Sequence, residues 1–196
     1  MFAVSIFGIK QSKKYSELHP ILALGVPIIY DVRKRPRESI QPDIYERFRG
    51  YAATASFVQR LRIVSTDFPW EIDITGGRRK DSFVSVADVW KALHEGLQEP
   101  VEQGEWAIAK RMAADNTKGN KSHSLSARML RAQERRKMSG DRDDKIRRVD
   151  WLGQKTSFIG FLRDEQTVKE VSLPGRRRDE EEDVDVWVAK FATGGE

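Results

Sequence analysis

The side chains that could bind a metal or transfer protons are few, and they lie far apart along the 196-residue chain. The three histidines, His19, His94 and His123, include no pair four residues apart, the spacing that lets one helix face bind zinc. His94-Glu95 begins like such a motif, but the fourth residue after His94 is Gln98. We therefore predict no metal site, and we interpret His94 as a boundary residue of an amphipathic helix.

No pair of carboxylates is placed for acid–base catalysis. Asp31 lies in a predicted strand, Asp73 is on the solvent-facing side of another strand, and Asp88 has the spacing of a helix cap. His19 precedes Pro20 and is predicted to cap or pack rather than to act as a base. We therefore assign no catalytic residue, and an enzyme could only use a pocket that the sequence conceals.

The composition excludes several further kinds of site. The chain has no cysteine, which rules out disulfides, thiol nucleophiles and sites built on thiolates. Gly76-Gly77 precedes three basic residues but lacks the Gly-Lys-Ser/Thr ending of a phosphate-binding loop, so it is interpreted as a turn. No cofactor is predicted.

The most concentrated charge is a basic run from Lys110 to Arg148. Between residues 110 and 150, thirteen lysines and arginines face six aspartates and glutamates, an excess of seven positive charges. On a helix from Ser126, arginines at 128, 131 and 135 fall on one stripe that could follow nucleic-acid phosphates. The predicted binding residues for a nucleic acid or an acidic partner are Arg128, Arg131, Arg135, Arg136 and Lys137.

Two other interpretations of this run remain open. It could be a solvated surface that maintains solubility, which is favoured because no aromatic residues are interleaved to stack on bases. It could also dock an acidic protein, or the chain's own acidic block at 179–183.

The elements that would position these groups are clearest between residues 68 and 98. Trp70, Ile72 and Ile74 alternate with polar residues, which predicts a strand with one buried face. Ser85 and Asp88 have the spacing of a capping box, and an apolar stripe of period 3.6 follows, which predicts a helix from Val86 to about Gln98. We expect the strand face and the helix stripe to bury each other.

The rest of the chain is patterned more weakly. Strands are predicted at 28–32, 60–64 and 158–162, with a pairing strand at 168–173, and helices at 44–48, 105–114 and 126–138. Residues 1–17 are predicted to be an N-terminal arm, and 174–196 a charged C-terminal tail. Within that tail, Val184, Val186 and Val188 alternate with other residues and could return as an edge strand or serve as a partner-binding peptide.

A series of short motifs follows a definite order between Leu18 and Leu173: Leu18-His19-Pro20-Ile21-Leu22, Ile29-Tyr30-Asp31-Val32-Arg33, Ala52-Ala53-Thr54-Ala55, Leu61-Arg62-Ile63, Pro69-Trp70-Glu71-Ile72, Val84-Ser85-Val86-Ala87-Asp88-Val89, Arg148-Val149-Asp150-Trp151-Leu152 and Phe158-Ile159-Gly160-Phe161-Leu162. The series resembles an uncharacterised domain family of mushroom-forming fungi. The resemblance implies an α+β domain and a fungal source, and it supplies no activity. The chain departs from the family at Ala55-Ser56, where a proline is expected.

These observations lead to one set of expectations. The fold is predicted to be α+β, a small antiparallel sheet with two or three helices packed on one face, spanning 18–173 with a basic helical insertion at about 110–148. The N-terminus lacks the features of a secretion signal and no apolar run is long enough to cross a bilayer, so an intracellular protein that is not in the membrane is expected. The leading functional hypothesis is a non-catalytic binding module for a protein or small ligand, with nucleic-acid binding second and an enzyme third. Partner identity and oligomeric state stay open.

Overall fold

The computed structural model describes residues 16–26, 28, 30–77, 82–107, 122–141, 143–171 and 184–194. For 122–128 and 170–171 this description covers the backbone only. The predicted arm, apart from residues 16 and 17, lies outside these ranges, as do residues 108–121 of the basic region and the charge block at 176–183.

Five strands form one mixed, curled sheet in the order β1-β4-β5-β2-β3. In chain order the strands are β1 (Tyr30–Asp31), β2 (Arg60–Val64), β3 (Ile72–Thr75), β4 (Ser157–Leu162) and β5 (Asp185–Ala192). β2 pairs with β5 in parallel, and the other neighbouring strands pair antiparallel. The class is α+β, but the prediction of a small antiparallel sheet with two or three helices is wrong. The reason is that the last strand enters the sheet parallel to β2, a pairing that strand patterns along the sequence do not encode.

Seven helices accompany the sheet in the described ranges. They are α1 (Pro36–Ser39), α2 (Pro42–Phe48), α3 (Val86–Gln98), α4 (103–107), α5 (Ser122–Met138), α6 (Arg148–Leu152) and α7 (Glu165–Val171). The helical turn predicted at 44–48 is confirmed within α2. Of the helix predicted at 105–114, only the beginning falls among the described residues. No described helix combines the length and the apolar composition needed to cross a membrane.

The unit formed by β2, β3 and α3 is confirmed as predicted. β2 and β3 pair antiparallel, and α3 runs from Val86 to Gln98. The Asp88 N–H donates to Ser85 Oγ at 3.2 Å, and the Ser85 N–H donates to Asp88 Oδ2 at 2.9 Å, which completes the capping box. Trp70 and Trp90 are both buried in one hydrophobic core, so the strand face and the helix stripe do close on each other.

The last two elements differ from the predictions. β5 lies in the middle of the sheet, between β4 and β2, so the edge position considered for this part of the predicted tail is wrong. Val188 and Ala189 are both fully buried, as expected for a strand covered on two faces. Residues 165–171 form a helix rather than a strand, because Asp164 accepts hydrogen bonds from the Thr167 N–H and hydroxyl and caps the first turn.

Backbone hydrogen bonds hold the basic region against the body of the fold. The Arg148 N–H donates to the Glu99 carbonyl at 2.9 Å, which joins the start of α6 to the end of α3. The Val32 N–H donates to the Thr156 carbonyl at 3.0 Å, which joins the end of β1 to the turn after α6. α5 then packs on α6 through its buried face, where Met129 is fully buried. The ends of β1, α3, α5 and α6 therefore meet in one place.

Candidate functional site

A cleft of about 360 Å³ opens where these four ends meet. Five cationic side chains and two carboxylates line it: Arg33, Lys34, Arg135, Arg136, Arg147, Asp141 and Asp150. We call this site the basic cleft. Its volume falls at the lower end of the range for small-molecule sites, roughly 300–1,000 Å³, and its lining carries an excess of three positive charges.

Arg136 is fixed in the cleft wall by carboxylates of its own chain. Its Nε and Nη2 donate to Asp150 at 3.3 and 3.1 Å, and its Nη1 donates to Asp141 at 2.9 Å. A further bond runs from Nη2 to the Lys145 carbonyl at 2.7 Å. Burial opposes the charged guanidinium, but the hydrogen bonds to Asp150 and Asp141 outweigh it and raise the pKa of Arg136. Because its side chain is only 11% exposed and Asp150 only 3%, this pair is an interior one.

Arg147 completes the same network from the other side. Its Nη1 lies 3.0 Å from Asp141 Oδ2, its Nη2 lies 3.1 Å from Asp143 Oδ2, and its Nη1 also donates to Gln98 Oε1 at 2.9 Å. The Asp143 N–H, then Arg136 and Arg147, hold the pKa of Asp141 below its ordinary value. Both inner arginines are therefore already paired with carboxylates of their own chain.

The outer cations differ in how far they are committed. Arg33 pairs with Asp31 through Nη2 at 2.7 Å and Nε at 3.0 Å, and that hydrogen bond raises the pKa of Arg33. Within the described part of the chain, Lys34 contacts no carboxylate, and Arg135 makes only a long bond, 3.5 Å from Nη2 to the Gly153 carbonyl. Both side chains are exposed. Lys34 and Arg135 are thus the two cleft cations without a carboxylate partner among the described residues.

Arg148, next to Arg147 in the chain, pairs with groups outside the basic cleft. Its guanidinium pairs with Glu99 and Glu105 and lies 5.4 Å from the centroid of the Trp70 ring. Stacking on an aromatic face and pairing with two carboxylates fix the start of α6 against the core.

The predicted binding residues are not gathered in one place. Arg135 and Arg136 line the basic cleft, whereas Arg131 is exposed on α5 and does not line it. Lys137 is exposed and pairs with Asp144. Arg128 lies in α5, and its side chain is outside the described residues.

Sequence reasoning missed Lys34 and Arg33. The only signal was the basic cluster that follows the β1 strand, about a hundred residues before α5 in the chain. Their proximity to Arg135 depends on the pairing of β1 with β4 and on the docking of α6, both long-range contacts.

The other candidate groups have structural roles. His19 Nδ1 accepts a hydrogen bond from the Ile21 N–H at 3.2 Å, which confirms the predicted cap, and burial lowers the pKa of His19. Asp73 pairs with Arg62, with 2.5 Å between Oδ1 and Nε. His94 Nδ1 lies 3.0 Å from the Val32 carbonyl oxygen. In the described ranges, no group of three or more His, Cys, Asp or Glu side chains could hold a metal ion.

Comparison with known proteins gives one match. The model of a family described as "Family of unknown function (DUF6699)" matches residues 28–172, which include both α5 and the segments that form the basic cleft. No curated protein and no solved structure matches the chain.

Proposed function

Because the chain belongs to this family of unknown function, we propose its role from the geometry of the basic cleft: a non-catalytic binding module that holds an anionic group of a protein or small-molecule partner. The observation that carries the proposal is the pair Lys34 and Arg135, two exposed cations that line one cleft without a carboxylate partner among the described residues. A cleft cation without a partner raises the affinity for an anion that binds beside it, because no neighbouring carboxylate cancels its field.

The charges behind this pair favour binding over catalysis. Asp141 and Asp150, the two acidic groups of the lining, are both engaged by Arg136, and the lowered pKa of Asp141 makes that carboxylate a weak proton acceptor. The remaining charged groups of the lining are arginines and one lysine. Such a set supplies positioned positive charge rather than a nucleophile or a base.

The test is calorimetric titration of the protein with a panel of anions: an oligo-glutamate peptide, succinate, sulfate and a phosphoserine derivative. We expect at least one saturable interaction that the K34A/R135A variant weakens by at least tenfold. R131A is the matched control, since it removes the same charge from the same helix at a position outside the cleft. Far-ultraviolet circular dichroism verifies that each variant is folded. The proposal fails if no member of the panel binds, or if R131A weakens binding as much as the double variant.

Nucleic-acid binding is the second candidate, favoured by the exposed face of α5. Arg131 and Arg135 lie one helical turn apart, both exposed, and neither contacts a carboxylate within the described residues. In a polarisation titration with single-stranded DNA, each phosphate contact should add about 0.7 to the slope of log affinity against log salt concentration. Here R131A should weaken binding and lower the slope, whereas K34A should not. The two candidates therefore differ in whether binding depends on Lys34 or on Arg131.

The setting we propose is an intracellular protein of fungal source. The fungal source rests on the resemblance of the ordered motifs between Leu18 and Leu173, and the compartment rests on the lack of cysteine, since extracellular domains commonly carry disulfides. Immunolocalisation of the tagged full chain in a fungal host would test the compartment, and staining outside the cells would overturn it.

A further inference from the structure

We propose that the anionic group recognised by the basic cleft is the dianion of a phosphate monoester, an inference that rests on the proposed function and narrows its ligand class. The claim concerns the charges and the hydrogen-bond donors of the cleft, whose lining includes Lys34, Arg135 and Arg33.

The two unpaired cations of the site suit a dianion. Asp31 neutralises Arg33, and the carboxylates of Asp141, Asp143 and Asp150 neutralise the two inner arginines. Lys34 and Arg135 are then the two cleft cations that pair with no carboxylate among the described side chains, while the five cations and four carboxylates together leave one net positive charge. A single carboxylate would balance one of these two cations, whereas a phosphate monoester carries close to two negative charges above its second pKa, about 6.

The donors also suit a tetrahedral oxyanion. An arginine offers a planar fork that binds two phosphate oxygens, and a lysine supplies a compact charge to a third. Because the Arg33 side chain is already held by Asp31, it can keep its ion pair and still present its remaining N–H groups to the cleft.

Hydrogen bonds hold the segments that carry the pair, so binding has to order the two exposed side chains but not the backbone that bears them. Arg135 immediately precedes Arg136, whose hydrogen bonds to Asp150 and Asp141 fix this turn of α5. Lys34 immediately follows Arg33, and the Lys34 N–H donates to the Asp31 carbonyl at 3.0 Å. Groups ordered before binding lose less freedom when the ligand arrives.

The experiment is a calorimetric titration with N-acetyl-phosphoserine amide at pH 5.0 and pH 7.5. Only about one tenth of the ester is dianionic one pH unit below its pKa, so the apparent affinity should be about tenfold tighter at pH 7.5. Sulfate, a dianion at both pH values, should show no such change. K34A and R135A should each remove most of the ester binding, while R135K, which keeps the charge but not the fork, should retain part of it.

Two controls separate this proposal from others. The titratable and charged groups facing the ligand are the arginines and Lys34 of the cleft with Asp141 and Asp150, and His94 contacts the neighbouring Val32 carbonyl. If the pH dependence of the affinity comes from titration of the ligand, the H94Q variant should therefore show the same change of affinity with pH. Inorganic phosphate identifies the source: tighter binding of the ester indicates a phosphorylated partner, as proposed, whereas inorganic phosphate that binds as tightly as the ester refutes the monoester and indicates free phosphate.

Succinate distinguishes the two possible failures. If succinate binds as tightly as the ester and K34A/R135A abolishes both, the phosphate inference is refuted while the binding module stands. An ester affinity that does not change with pH also refutes the inference. If no anion binds at all, the proposed function itself fails.

Discussion

Replacing Arg136 by methionine should destabilise the protein more than any other single loss of charge in the basic region. The substitution keeps much of the apolar stem but leaves Asp150, 3% exposed, without its cationic partner. Asp141 keeps Arg147 at 3.0 Å, so the uncompensated charge is that of Asp150 alone. Removing one member of a buried ion pair costs about 3–5 kcal/mol. For a chain of this length that is a fall in Tm of about 6–20 °C.

Urea denaturation followed by tryptophan fluorescence would measure this loss. The matched control is K137M on the same helix, since Lys137 and Asp144 are 41% and 85% exposed and such a pair contributes about 1 kcal/mol or less. In a double-mutant cycle, D150N should recover part of the R136M loss, with a coupling of about 0.5–3 kcal/mol. If R136M lowers the free energy of unfolding no more than K137M does, the pair of Arg136 with Asp150 does not stabilise the fold as an interior ion pair. The assignment of the inner cleft is then wrong.

Three further variants test other parts of the fold. G160A should lower the free energy of unfolding by about 2–4 kcal/mol, because Gly160 has φ +123° and an added Cβ would lie 2.6 Å from the Ala23 carbonyl oxygen; G50A, where an added Cβ meets nothing within 4 Å, should cost far less in the same urea titration. D185N should stabilise the protein at pH 7.5. Burial, only partly opposed by Arg163, raises the pKa of Asp185 in the folded protein above the ordinary value of 3.8. The folded state therefore loses stability as the pH rises from that value through the folded pKa and the buried carboxyl ionises. The gain should vanish near pH 4, and D164N, at a carboxylate whose pKa hydrogen bonds from Thr167 lower, should act in the opposite direction. A chain ending at residue 183 lacks β5 and should show no cooperative unfolding by circular dichroism, whereas one ending at 194 should unfold cooperatively; cooperative unfolding of the shorter chain would show that the sheet does not need its central strand.

The parts of the fold that local signals determine were the ones that could be predicted. The capping box of Ser85 and Asp88 and the alternation from Trp70 to Ile74 each lie within a few residues, and α3 and β3 follow from them. The position of β5 could not be predicted in this way. Its alternation was visible, but whether a strand is central or peripheral depends on which partners cover its edges, and those partners come from residues 60–64 and 157–162.

The strand predicted at 168–173 was wrong for a related reason. Val168 and Val171 are three residues apart, a spacing that fits one face of a helix, and β-branched residues favour a strand only weakly. The deciding feature is Asp164, whose carboxylate accepts hydrogen bonds from the Gln166 and Thr167 N–H groups. A capping residue before an ambiguous apolar pattern is a stronger signal than β propensity.

The basic run illustrates how sequence charge and available charge differ. Counted along the chain, Arg136, Arg147 and Arg148 contribute to an excess of seven positive charges, yet each faces carboxylates within its own fold. Ionised groups that pair with one another in the interior create little field for an incoming ligand. Lys34 lies outside the run and contributes nothing to that count, but it is one of the two cleft cations without a carboxylate partner among the described residues. The binding surface is therefore defined by the cations that the fold leaves without carboxylate partners among the described residues, and these come from two segments that the pairing of β1 with β4 and the docking of α6 bring together.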